Sequence, residues 1–138
     1  MNSDCIFCRI AAGEIPCAKI YESEEILAFL DIAPVNKGHA LLIPKRHHEN
    51  IFDLPDEIAG VLLTDLKRVG AAVMAATKAD GLNLGMNNYE AAGQLVMHAH
   101  FHLIPRFLDD GLNHWGQKSY ESQDEMNAFA EIIRSSLA

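Results

Sequence analysis

The stretch "GQLVMHAHFHLIPR", residues 93–106, decides how the chain is read, because His98, His100 and His102 occupy every second position of an apolar run. Successive side chains of a strand point to opposite faces, so an extended backbone sets the three imidazoles in one row with Ala99, Phe101 and Leu103 behind them. On a helix the same spacing would turn His100 away from the other two, and no shared chemistry would follow. A strand is therefore predicted over residues 94–105, with its apolar face on a core and its histidine face on a site. At about 3.3 Å per residue the row runs roughly 13 Å, so neighbours can share a metal ion but all three suit one ion poorly. Division of labour fits better: the central imidazole faces a reacting atom and its neighbours hydrogen-bond around it. A neutral imidazole near pH 7 keeps a free lone pair. On phosphorus it would form a labile N–P bond, splitting one displacement into two easier ones, while the flanking rings donate to the non-bridging oxygens.

Outward from this row, the segments "AKIYE", "EILAFLDI" and "GHALLIP" read as strands, rich in Ile, Leu and aromatics and punctuated by "SE", "PVNKG" and Pro44. A short helix is predicted at "DCIFCRIAAGEIP", where Ile6 and Ile10 are four apart and Gly13 follows. A long helix opens near "DLPDE" with Pro55 in its first turn and acidic residues at its positive end; its buried stripe is predicted as Ile58, Leu62, Leu66, Val69, Val73 and Ala76, and Gly81 lies beyond its end. "GLNLGMNN" returns to strand. A last helix begins at "SQDE", where Ser122 and Glu125 have capping-box spacing, and is expected to bury Met126, Phe129, Ala130, Ile133 and Leu137. Strands then helix, twice, with hairpin-length connections, give an α+β domain built on a mostly antiparallel sheet.

Composition bounds the rest. The 138 residues suit one domain, 49% hydrophobic and 22% charged, with no apolar run near the roughly 20 residues a membrane span needs. "MNSDCIFCRI" does not resemble a secretory signal, and a cytoplasmic location is expected. The net charge of −8 opposes a nucleic-acid-coating role, and neither "GxxxxGK[ST]" nor "GxGxxG" is present, so local groups must hold any phosphate. Cys5 and Cys8 in "CIFC" have the spacing of a zinc pair, of a redox pair, and of two buried thiols alike; His47 and His48 in "PKRHHEN" are candidate further ligands. Cys17 reads as a small apolar side chain.

The stretch first quoted resembles the signature of the histidine triad (HIT) family of nucleotide-binding hydrolases and transferases. "CIFCRIAAGEIP", "LAFLDIAPVNKGHALLIPKRH" and "GLNLGMNN" resemble family segments in the same order, so the likeness covers about residues 4–108 and leaves 109–138 as a C-terminal extension with its helix. The resemblance implies a HIT-like fold, a five-stranded sheet with one long and one short helix, in a homodimer. It implies that His100 is the nucleophile that becomes nucleotidylated, that His102 contacts the phosphate, and that His39 orients the triad or its leaving group. Asp31 matches the acidic residue that holds the ribose, Ile6, Phe7, Phe29 and Ile32 match the apolar lining of the base pocket, and Asn87 and Gln94 match polar groups near the phosphate. Asp31 with Asn87 resembles the Hint-like branch, which hydrolyses purine nucleoside phosphoramidates, more than the dinucleoside polyphosphate hydrolases. Leu95 departs from that branch, standing where many of its members carry a phosphate-binding serine. By the same resemblance Cys5, Cys8, His47 and His98 form a structural zinc site, with no cofactor needed for catalysis. A zinc-activated-water hydrolase and a nucleotide-binding module without turnover are the competing readings. The resemblance allows His114 and Trp115 to approach the site, since C-terminal segments of the family influence substrate choice, but a solvated loop is the expected place for them.

Overall fold

In the computed structural model, which describes residues 2–137, the predicted elements appear in the expected order; Met1 and Ala138, the ends of the expected single domain, lie outside it. Helix α1 (Ile6–Ala11) is capped by Cys5, whose Sγ accepts from the Cys8 N–H, and the chain leaves it through Gly13 at φ +77°. Strands β1 (Lys19–Glu22), β2 (Ile26–Leu30) and β3 (Ala40–Pro44) form an antiparallel meander. A 3-10 turn at Asp56–Ile58 leads into α2 (Ala59–Thr77), which crosses the sheet to β4 (Gly81–Gly85); β5 (Phe101–Arg106) then returns between β3 and β4. The sheet is five-stranded and antiparallel at every pairing, in the order β1-β2-β3-β5-β4. Lys78, left-handed at φ +55°, ends α2 before Gly81 is reached.

Alternation along the strands builds two cores. Ile26, Ala28, Ala40, Leu42 and Leu103 face α2 and meet Ile58, Leu62, Leu66, Val69 and Val73. Leu27, Phe29, Leu41 and Ile43 face the other way and pack with Cys5, Phe7 and Cys8 of the α1 region. Ala76, expected in the stripe, is exposed, while Thr77 of the same turn lies against Gly38. Gly70 lies close against the sheet: a Cβ there would sit 3.0 Å from Leu82.

Two expectations fail. The strand predicted over 94–105 begins only at Phe101. Its ladder with β3 stops at the Leu42–Phe101 pair, because Pro44, two residues further along β3 and opposite Ala99, has no N–H to donate. Instead the Pro44 carbonyl takes His98 Nε2 at 2.8 Å, and the Ala99 N–H goes to the His48 carbonyl at 2.7 Å. The last helix, α3 (Gln123–Ser135), forms under its Ser122 cap but buries none of its residues. Met126, Phe129, Ala130, Ile133 and Leu137 are all exposed, since no described part of the chain covers that face. Among the described residues no helix is long and apolar enough to cross a membrane.

Candidate active site and metal centre

The three histidines keep one face although the ladder ends between them. Phe7, lifted onto that face by α1, meets the His98 and His100 rings edge-on at 5.9 and 5.2 Å, and His102 lies 5.1 Å beyond His100. His98 is fully buried and His100 6% exposed. His100 Nδ1 is 2.7 Å from the His98 carbonyl, which can only accept, so the proton is on Nδ1 and the lone pair of the neutral ring is on Nε2. The backbone thus fixes the tautomer that a nucleophile requires.

His102 is set by a second route. The Val35 N–H donates to His39 Nδ1 at 3.1 Å, which places the His39 proton on Nε2; that nitrogen is 2.9 Å from His102 Nδ1. His102 Nδ1 therefore accepts and its own proton points outward from Nε2. Burial pushes the His102 pKa down to about 4, with His100 and His39 adding to the effect, and burial lowers His39 against the opposing pull of Asp31. Both rings are neutral at pH 7. Asp31 Oδ2 stands 3.7 Å from His39 Nε2 while its Oδ1 accepts from the Ala33 N–H at 2.8 Å.

His98 faces away from this chemistry. Its Nε2 donates to Pro44, leaving Nδ1 as a lone-pair donor 3.4 Å from Cys5 Sγ and 3.5 Å from Cys8 Sγ; His47 Nδ1 is 3.4 Å from Cys8 Sγ. Tetrahedral zinc, with bonds of about 2.3 Å to sulfur and about 2.0 Å to nitrogen, would separate S and N by roughly 3.5 Å. All four donor atoms fall within 4.8 Å of one another, so the group fits a closed four-ligand ion. Without one, burial pushes the Cys8 thiol up, away from the thiolate a metal would hold. His48 turns instead toward Asp53.

The remaining predicted residues divide. Phe7 and Phe29 are buried against each other at 5.7 Å, whereas Ile6 and Ile32 are exposed, so only the latter two offer open apolar surface. Asn87 lines an open groove of about 490 Å³ beside His102. Gln94 offers no free amide hydrogen: Nε2 donates to the Glu49 and Val96 carbonyls, and Oε1 accepts from the Tyr89 N–H. It is a buried pin for the loop before the triad, and it holds Tyr89 at φ +69°, ψ 162°, a conformation otherwise nearly confined to glycine. His114 and Trp115, expected in a solvated loop, line the same groove as His102, with Trp115 88% exposed. Their sequence context carried no periodicity by which to place them.

A family model described as the HIT domain matches residues 12–109. The chain belongs to the HIT family. Among its relatives, the protein named Protein hit from Bacillus subtilis (strain 168) is 49% identical over 135 residues, covering 95% of this chain and 93% of its own. The protein of Schizosaccharomyces pombe named adenosine 5'-monophosphoramidase hnt1 is 42% identical over 134 residues, covering 96% and 98%. A crystal structure of a HIT family member from Bacillus subtilis superposes with a TM-score of 0.90 at 40% identity, covering 99% of both chains. The fold of this HIT domain, an antiparallel five-stranded sheet with helices, is that of its structural relatives.

Proposed function

We propose that this HIT domain hydrolyses the P–N bond of purine nucleoside phosphoramidates through a nucleotidyl-His100 intermediate. The observation that carries the reading is the bond from His100 Nδ1–H to the His98 carbonyl, which leaves Nε2 as the only lone-pair nitrogen of the neutral ring. Attack by Nε2 on phosphorus forms the N–P bond; the substrate P–N bond breaks with its electron pair on the leaving nitrogen, which departs as the amine after taking a proton from solvent. The positive charge on His100 is shared with the His98 carbonyl through Nδ1–H, while His102 Nε2–H donates to a phosphoryl oxygen as charge builds there. Water then attacks phosphorus, its proton goes to solvent, and the nucleoside monophosphate leaves with His100 restored. Asp31 Oδ2 takes the ribose hydroxyls, and Ile6 and Ile32 contact the base. The 42% identical monophosphoramidase of Schizosaccharomyces pombe supports this choice of bond.

Zinc on Cys5, Cys8, His47 and His98 would act as a staple between α1 and the triad segment. Four protein ligands leave it no open position, which disfavours an activated-water mechanism there. Thiolate ligands need a reducing compartment, and we place the protein in the cytoplasm. As a homodimer, it would cover the apolar face of α3 and the free edge of β4. The reading is tested by offering purified enzyme adenosine 5'-phosphoramidate and diadenosine tetraphosphate. AMP release is expected from the first, and turnover confined to the second would replace the reading with that of a dinucleoside polyphosphate hydrolase.

A further inference from the structure

The tautomer of His102 depends on a backbone N–H that nothing in the triad holds in place. Val35 belongs to the loop between β2 and β3, where the His39 N–H closes back on the Asn36 carbonyl at 2.9 Å. The side chain of Asn36 ties the loop to β5 and to the segment that follows it. Asn36 Nδ2 donates to the Pro105 carbonyl at 2.8 Å and to Asp110 Oδ2 at 3.1 Å. Asp110, whose side chain is 7% exposed, is gripped by Arg106 in a bidentate pair, Nε to Oδ2 at 2.8 Å and Nη2 to Oδ1 at 3.1 Å, and accepts the Phe107 and Leu112 N–H groups as well. A planar two-point clamp of this kind has one geometry, so it fixes where Asn36 can sit.

We propose that Asn36 and Asp110 are positioning residues for the phosphoryl-transfer step: the clamp holds the Val35 N–H on His39 Nδ1, and this forces His39 and then His102 into the Nε2–H tautomer that faces the substrate. The inference rests on the function proposed above. Both rings are neutral at pH 7 because they are buried, so each must choose a tautomer, and the loop is what chooses. Without the Val35 donor, only the His102 lone pair and the Asp31 carboxylate, 3.7 Å away, still favour the His39 proton on Nε2. That proton can move to Nδ1, and His102 then has no donor to accept from and populates both forms. The clamp also lies at the start of the C-terminal segment, so the path runs from residues outside the triad to the phosphate contact.

The test is imidazole nitrogen NMR of zinc-loaded, 15N-histidine protein, wild type and Asn36→Ala, with kcat and KM for adenosine 5'-phosphoramidate. Val35→Pro, which deletes the donor and leaves the clamp intact, is measured beside them so that a folding defect in one variant does not decide the matter. Wild type should show Nε2–H for both His39 and His102. Each variant should show mixed tautomers at these two rings, an unchanged His100 signal, and a roughly tenfold or greater fall in kcat with KM little altered. Unchanged tautomers in both variants would overturn the inference, and so would mixed tautomers with full kcat. Wild-type protein with the expected tautomers but no turnover of any nucleotide would instead overturn the hydrolase reading, and with it the catalytic role given to the clamp.

Discussion

Acidification should weaken this fold by an amount traceable to His102. An unfolded chain protonates that ring near its ordinary value of 6.5, whereas in the folded protein burial and two neighbouring imidazoles hold it down to about 4. Above pH 6.5 the ring is neutral in both states and contributes no pH dependence. As pH falls from 6.5 toward 4 the unfolded state takes up a proton that the folded state refuses, so stability is lost across that window and the loss levels off below it. At about 1.4 kcal/mol per pH unit the full gap corresponds to about 3 kcal/mol, and partial contact with solvent at the groove reduces this to about 2 kcal/mol. The measurement is urea unfolding of wild type and His102→Asn at about pH 7.5 and about pH 4.5, with m held constant between the proteins. Asparagine offers Oδ1 where Nδ1 accepted, so the His39 bond survives. The metal ligands protonate in both proteins, and the difference between the two losses isolates His102: wild type should lose about 2 kcal/mol more than the variant. Equal losses would refute the reasoning, because they would mean that the ring is not held neutral by its surroundings.

Other outcomes follow from the same contacts. Phe7→Ala removes a ring wedged among Phe29, His98 and His100, and should cost about 3–4 kcal/mol in urea unfolding and lower kcat/KM as His100 loses its lateral support. Metal analysis of untagged protein should find one zinc per chain; chelation should lower Tm and expose Cys5 and Cys8 to a thiol reagent, and full thiol reactivity in the untreated protein would reject the site. Tyr89→Gly relieves a backbone conformation that costs a non-glycine residue of order 1–3 kcal/mol, while giving up an exposed stack on Phe52; a net gain of about 1 kcal/mol in thermal unfolding is expected.

The triad's common face was legible because alternation is a backbone property, and it survives the point where the β5 ladder ends. That end was not read at Phe101 because it depends on Pro44 lying opposite Ala99, a register no local pattern reveals. The α2 stripe was legible from Ile58 to Val73 by helical spacing, but buried Asp65, held by the Tyr21 hydroxyl at 3.0 Å, breaks the rule that charge faces water and needed the tertiary partner to be seen. The amphipathic pattern of α3 predicted a helix correctly and its burial wrongly, since a period of 3.6 says which face is apolar and not what covers it. The four grouped cysteine and histidine donors came from resemblance, and the structure brings them together. Of the residues that set the tautomers, Val35 and Asn36 looked like turn punctuation and Asp110 fell in the C-terminal extension, because a backbone N–H and a loop amide carry no sequence signal for the ring they orient.

Turnover through His100 requires one covalent bond, from its Nε2 to phosphorus. Zinc-loaded wild type and His100→Ala would be mixed with adenosine 5'-phosphoramidate, quenched within the first turnover in denaturant at alkaline pH, where a histidyl N–P bond survives, and weighed intact. A transient species heavier by one adenylyl group is expected in wild type, mapped by fragmentation to His100, and none in the folded variant. Wild type that releases AMP at full rate with no such adduct, or a His100→Ala protein that turns over equally well, would contradict a nucleotidyl-His100 intermediate.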